Sequence, residues 1–310
     1  MSKKVLFFPG QASQYVGMGK DLYETSEDVR HLYKFASSEM GYDIAHLSFE
    51  GPAEELKRTR FTQPAILLHS LAVLSIIKNN LTDYDFACGH SLGEYPALAA
   101  VGALSFEDAI KAVVKRATLM EEACQKNPST MAAIMGLNES QIEEVCQKAS
   151  AKGVVVPANF NSGIQTAISG SFEAVEKACE LAKEAGAKRA MLLQVGGAFH
   201  SPLMETAKLG MAEFLNSVTV NNPKIPVIAN VTAQPVTNAD EIKKLLVEQI
   251  TSPVRWSQTM KYLVASGVDS IIEIGPGKVL TGLAKRDMKP KNSVNLDKLE
   301  DIEAFTATLA

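Results

Sequence analysis

Short apolar runs that end at glycine or proline alternate along the chain with longer stretches whose apolar residues recur at helical spacing. Residues 4–8 (KVLFF) stop at Pro9 and Gly10, and residues 86–89 (FACG) stop at Gly89, as buried strands do on entering loops. Helical material follows each. Residues 64–78 (PAILLHSLAVLSIIK) place Pro64 in a first helical turn, and residues 105–120 open with a Ser105 to Asp108 capping box. Strands alternating with helices predict a parallel sheet covered on both faces.

The pattern changes between residues 127 and 196. Strand 130–136, helix 139–149, strands 154–160 and 165–169, helix 172–185 and strand 188–195 follow one another as βαββαβ. Ile142, Val145, Cys146 and Ala149 share one helix face, and Phe172, Val175, Cys179 and Ala182 share another. Two amphipathic helices on four strands predict a ferredoxin-like unit. Alternation then resumes, with strand 226–230 (PVIAN), helices around Leu245 and Tyr262, and strand 270–275 ending at a GPGK turn. The expected fold is α/β: a hydrolase-like parallel-sheet domain of residues 1–126 and 197–310, with an inserted ferredoxin-like domain of residues 127–196. The crossings fall at residues 127–130 (NPST) and 195–199 (VGGAF), and a cleft between such units is a common ligand site.

Composition narrows the partners. The 310 residues are 46% hydrophobic and 21% charged, which is ordinary for a globular chain, and the net charge of −4 argues against nonspecific nucleic-acid binding. Apolar runs break before the ~20 residues of a membrane span, and the start lacks a signal-peptide layout, so a cytoplasmic protein is expected. Cys88, Cys124, Cys146 and Cys179 are far apart with no CxxC pair, which reads as buried free thiols and no metal site.

The densest chemistry is Gly89-His90-Ser91-Leu92-Gly93, a Gly-x-Ser-x-Gly elbow between a strand and a helix. A serine hydroxyl needs a base, and there are five histidines to choose from. His31 and His46 lie in polar segments, His69 in an apolar helix, and His90 adjoins the serine on an extended strand that turns its side chain to the opposite face. His200, in a Gly- and Pro-flanked loop at the second crossing, is the favoured base. No acidic residue can be chosen to orient it. The Leu92 amide is a natural oxyanion donor, and the loop after the first strand (FPGQASQ) is placed to supply another.

Six segments, FPGQASQYVGMG, TQPA, GHSLGEY, KRATLM, GAFHSPLM and EIGPGKVL, stand in the order found in malonyl-CoA:acyl carrier protein transacylases, and the resemblance covers nearly the whole chain. It implies Ser91 as the acylated nucleophile, His200 as its base, and the Gln11 and Leu92 amides as oxyanion donors. It also implies Arg116 as the anchor of the malonyl carboxylate, where the residues alone favour an exposed helical arginine beside Lys115. The Gln249 backbone carbonyl would orient His200, and its side chain need not take part in catalysis. Phe199 would favour malonyl over the bulkier methylmalonyl. Ala12 and Ala117 stand where the family commonly has glycine, which bears on pocket width. Asn159 and Asn161 either line the cleft or end a strand.

The resemblance implies no cofactor. Its partners would be malonyl-CoA and an acidic acyl carrier protein carrying phosphopantetheine, the latter drawn to a basic surface. Lys285, Arg286, Lys289 and Lys291 form the densest basic run, which equally reads as a solvated helix end. No nucleic acid or membrane is expected as a partner, and a monomer is expected. A serine thioesterase and a silent carrier-binding homologue are the rival readings.

Overall fold

A computed structural model describes residues 3–77, 80–81 and 83–309. Its strands are β1 Lys3–Phe8, β2 Phe86–Gly89, β3 Thr130–Met135, β4 Val155–Ser162, β5 Gln165–Gly170, β6 Arg189–Leu192, β7 Val227–Ile228, β8 Pro235–Val236, β9 Val268–Ile274 and β10 Asn292–Leu296. They form a six-stranded sheet in the order β10-β9-β1-β2-β7-β8 and a four-stranded sheet in the order β4-β5-β3-β6. The first is parallel except for β8, and the second is antiparallel.

β1 shows why the larger sheet is a middle layer. Leu6 and Phe8 pack into one core with the helices Thr59–Ile77 and Phe106–Lys126, while Val5 and Phe7 pack into another with Trp256, Met260, Leu280 and Ala284. Burial on both faces leaves no polar alternation, hence the continuous apolar run. The helix Thr59–Ile77 is apolar and long enough to cross a membrane by composition alone, but 89% of its most apolar window is buried inside the protein.

The antiparallel sheet has a core of its own, in which Ile134 and Ile168 meet Ile142, Val145, Val175 and Ala178 of the helices Glu139–Ala149 and Phe172–Glu184. The element order is the predicted βαββαβ. One predicted face member departs. Phe172 is 49% exposed, because it is the first residue of its helix and lies beyond the buried stripe of Val175, Cys179 and Ala182. Met191 and Leu192 on the edge strand β6 are likewise 41% and 44% exposed.

Two local expectations change. The first long helix begins at Thr59, so Pro64 lies inside it, and the predicted last residue, Lys78, lies outside the described residues. At Ser105 the hydroxyl oxygen accepts from the Asp108 N–H, as a cap should. The Asp108 carboxylate, however, accepts the serine hydroxyl and leaves the cap's own N–H unclaimed by it. All four cysteines are free and buried.

β1 and β2 are in parallel register, Phe8 opposite Gly89, so the loops that leave them emerge side by side at the carboxyl edge of the sheet. The two crossings are tied together there: Ser129 Oγ accepts from the Ala198 N–H at 3.0 Å and donates to the Asn127 carbonyl at 2.8 Å.

Candidate active site

The turn after β2 is sharp. Ser91 has φ of +52°, begins a single 3-10 turn Ser91–Gly93, and is followed by the helix Glu94–Ala100. The flanking glycines are steric necessities. A Cβ on Gly89 would overlap the Gly93 carbonyl, and one on Gly93 would overlap the Phe8 carbonyl. A serine in the left-handed region costs about 1–3 kcal/mol and persists where its surroundings fix it. Here the Ser91 N–H donates to Asn230 Oδ1 at 2.6 Å, Asn230 Nδ2 donates to the Gly89 carbonyl at 2.7 Å, and Gln249 Nε2 donates to the Ser91 carbonyl at 3.0 Å.

Ser91 Oγ lies 2.7 Å from His200 Nε2. His200 Nδ1 is 2.8 Å from the Gln249 carbonyl, which can only accept, so Nδ1 carries the proton and Nε2 presents its lone pair to the serine. Burial, reinforced by the nearby Arg116 cation, pushes the imidazole down to about 3. His200 is therefore neutral across the physiological range and able to accept the serine proton.

Arg116 is fully buried, which settles the alternatives left open by the sequence: it is not an exposed helical arginine. Its NH2 donates to Ser91 Oγ at 3.0 Å and to Gln249 Oε1 at 2.9 Å, and its NH1 donates to Gln63 Oε1 at 2.6 Å. The guanidinium carbon sits 5.8 Å from the Tyr95 ring centre, and Nε finds no hydrogen-bond partner among the described residues. Burial pulls the group below its ordinary value, opposed by Tyr95 and Glu94. A buried cation held by amides, a hydroxyl and a ring, with a donor unused, is set up to receive an anion.

Glu94, also buried, closes the network from below. Its Oε2 accepts from Gln249 Nε2 at 2.6 Å and from the Asn230 N–H at 3.4 Å. Burial raises its carboxyl to about 7 despite those hydrogen bonds and the Arg116 charge. Gln249 thus serves the site twice, by its carbonyl to His200 and by its amide to Arg116, Ser91 and Glu94. The side chain, for which the resemblance requires no catalytic role, is thus hydrogen-bonded to three residues of the site.

A cleft of about 270 Å³ opens onto Ser91, lined by Gln11, Leu92 and His200 from the larger sheet's loops and by Asn159, Asn161 and Gln165 from β4 and β5. Phe199 and Ala12 line it as well, whereas Ala117 is buried behind it. Ala12 has φ of +84°, a conformation that favours glycine. His90 does not point away: it lines the cleft, with Nε2 2.8 Å from Asn161 Oδ1. Its neighbour Ser91 leaves the strand at that point, and so the alternation that put the two side chains on opposite faces no longer applies. Of the other histidines, His69 is buried with Nε2 3.0 Å from Asp297 Oδ1, while His31 and His46 are exposed. In the basic run, Arg286 donates to Gln165 Oε1 at 2.8 Å and Lys291 pairs with Asp269 at 2.9 Å.

Sequence reasoning missed Gln63, Glu94 and Asn230. Two of them carried a signal: Glu94 is a charge inside the otherwise apolar run after the elbow, and Asn230 ends the strand run PVIAN at the sheet's carboxyl edge. Arg116 carried one too, since it falls on the stripe of Ala109, Val113 and Met120, all buried.

Residues 5–300 match the acyl transferase domain family. The chain is 44% identical over 310 residues to the malonyl CoA-acyl carrier protein transacylase of Bacillus subtilis (strain 168), covering 100% of this chain and 98% of that protein. It is 39% identical over 306 residues to the enzyme of the same name in Staphylococcus aureus (strain MRSA252), covering 98% and 99%. Among solved structures, an acyl carrier protein S-malonyltransferase from Vibrio cholerae superposes with a TM-score of 0.93 at 42% identity, covering 98% of this chain and 100% of that one. A malonyl-transacylase in complex with its type II PKS acyl-carrier protein superposes with a TM-score of 0.93 at 37% identity, covering 99% and 100%. With the elbow, the buried arginine and a parallel-sheet core beside an antiparallel sheet all in place, the chain belongs to the acyl transferase family, among the malonyl CoA-acyl carrier protein transacylases.

Proposed function

We propose that this enzyme moves a malonyl group from malonyl-CoA to the phosphopantetheine thiol of acyl carrier protein through a malonyl-Ser91 ester. Ser91 Oγ attacks the thioester carbonyl as His200 Nε2 takes its proton, and the Gln11 and Leu92 amides receive the oxyanion. Collapse breaks the C–S bond, and His200 returns the proton to the departing CoA thiolate. The carrier thiol then gives its proton to His200 and attacks the ester carbonyl, and the C–O bond breaks as His200 returns that proton to Ser91 Oγ, completing a ping-pong cycle. Arg116 holds the malonyl carboxylate, so a substrate lacking one leaves a buried cation short of its partner. Phe199 lines the acyl side of the cleft and disfavours an α-methyl group.

The observation that carries this reading is the position of Ser91 Oγ, 2.7 Å from a neutral base and 3.0 Å from a fully buried guanidinium. A hydrolase needs the first contact but has no use for the second. The reading extends to the architecture. Residues 1–126 and 197–310 form the catalytic domain, and residues 127–196 form an inserted ferredoxin-like domain that walls the cleft. The exposed Lys285, Arg286 and Lys289 favour an acidic carrier near its mouth.

The test is intact-protein mass after brief exposure to malonyl-CoA or acetyl-CoA without carrier protein, with acid quench and peptide mapping. One malonyl adduct on Ser91 and little acetyl adduct is the expected result. Rapid CoA release with no adduct would make the protein a thioesterase, and no reaction at all would make it a binding module.

A further inference from the structure

Among the described residues, no carboxylate is in direct contact with the buried Arg116 cation. The carboxylate nearest to it in the hydrogen-bond network is Glu94, and the two are joined by one amide: Gln249 Oε1 accepts from Arg116 NH2 at 2.9 Å, and Gln249 Nε2 donates to Glu94 Oε2 at 2.6 Å. The amide dipole is aligned to lie favourably between them, its oxygen toward the cation and its N–H toward the anion. We propose that Glu94 is the counter-charge of Arg116 in the unloaded enzyme, and that it takes up a proton when a substrate carboxylate reaches the guanidinium. This rests on the reading of Arg116 as the carboxylate anchor and deepens it.

The physical argument is one of charge count in a low-dielectric site. Two anions sharing one buried cation repel each other, and the buried carboxylate with access to fewer donors is the one that neutralises. The other titratable groups facing this cluster do not compensate. His200 is neutral, Tyr95 on the same helix is pushed up to about 12, and the Cys88 thiol of β2 is held protonated by burial with Glu94 nearby. The helix carrying Gln249 and the loop carrying Asn230 present amides to Glu94. That leaves Glu94 to respond. It is poised to do so, since its carboxyl already sits at about 7. The proton comes from solvent and goes to Oε1, leaving Oε2 to accept from Gln249 and Asn230 as before.

Glu94 is then a positioning residue that makes malonyl binding proton-linked. The experiment is calorimetry on Ser91→Ala enzyme, which cannot be acylated, with malonyl-CoA and acetyl-CoA at pH 7 in two buffers of different ionisation enthalpy. Malonyl-CoA should take up to about half a proton more than acetyl-CoA, because a group near its pKa is half ionised. Adding Glu94→Gln, which keeps an acceptor for Gln249, should abolish that excess and tighten malonyl-CoA binding several-fold at pH 8. A purely structural role for Glu94 would leave proton uptake untouched. Equal uptake for the two ligands in the enzyme with Glu94 intact overturns the inference, whether or not the double variant folds, and so does an excess that survives Glu94→Gln. Malonyl-CoA binding no tighter than acetyl-CoA would instead remove the Arg116 reading, and the inference with it.

Discussion

Three non-glycine residues beside the cleft have positive φ, Ser91 at +52°, His200 at +58° and Ala12 at +84°, and the turns of Ser91 and Ala12 are held very differently. At the elbow both backbone groups of Ser91 are bound by the side chains of Asn230 and Gln249, and the adjacent glycines admit no Cβ. At Ala12 the N–H goes to the exposed Gln14 Oε1, and the turn is closed locally by Ser13 Oγ donating to the Gly10 carbonyl at 2.7 Å. Strain at Ser91 is therefore enforced from distant parts of the chain, whereas strain in the first loop is enforced by its immediate neighbours. The first turn cannot relax without dismantling the site. The second is free to vary.

Substitutions at the two turns and their supports measure that contrast. Ser91→Ala should lower kcat by about 10⁴ to 10⁶-fold while leaving the melting temperature nearly unchanged, as followed by carrier-protein malonylation and calorimetry. Next is Arg116→Ala, which removes the carboxylate partner and leaves Glu94 without its cation. The expected loss in kcat/KM for malonyl-CoA is about 10² to 10⁴-fold, with a far smaller change for acetyl-CoA. Equal losses for both substrates would put Arg116 outside substrate recognition.

Gln249→Ala keeps the carbonyl on His200 but strips hydrogen bonds from Arg116, Ser91 and Glu94. We expect about 1–3 kcal/mol of lost stability in urea unfolding and at least about a tenfold loss of kcat/KM. A neutral outcome would show that the elbow is held by Asn230 alone.

The pH dependence of stability carries two opposing slopes. His200 titrates at about 3 folded against an ordinary 6.5, so the unfolded chain binds more protons between those values and stability rises with pH there. Glu94 titrates at about 7 folded against 4.5, so the folded chain binds more protons in that window and stability falls as pH rises through it. Removing either group should unmask the other: His200→Gln leaves a stability that declines from pH 4.5 to 7, and Glu94→Gln one that climbs from pH 3 to 6.5. Melting temperatures across that range would show it. The smallest effect belongs to Ala12→Gly. Relief of about 1–2 kcal/mol of strain less about 0.4–1 kcal/mol of unfolded-chain entropy predicts a gain below about 2 kcal/mol, with activity retained.

What the sequence made legible follows the range of the forces involved. The elbow, the strands β1 and β2 and the βαββαβ unit depend on periodicity and turn chemistry within a few residues, and each appears where the pattern puts it. Pro64 misled because a proline suits a first turn on local grounds, while packing of Thr59, Phe61 and Thr62 into the core extends the helix upstream of it. Phe172 misled because its spacing is right but its helix begins there. Glu94, Asn230 and Gln63 acquire their roles only from partners 155, 139 and 53 residues away; the local pattern marks the first two as out of place but does not say what they bind.

The antiparallel unit bears on how Ser91 and His200 come together during folding. Ser91 and His200 are 109 residues apart, a separation that ordinarily slows formation of a contact. Most of that distance is taken up by a segment with its own core, whose first and last strands pair directly, Ala132 opposite Leu192. Once that segment has formed, its ends leave side by side, and residues 130–192 no longer count toward the separation. The entropy of closing the serine–histidine contact is then that of residues 92–129 and 193–199, less than half the original separation. The antiparallel unit that supplies one wall of the cleft also draws Ser91 and His200 together.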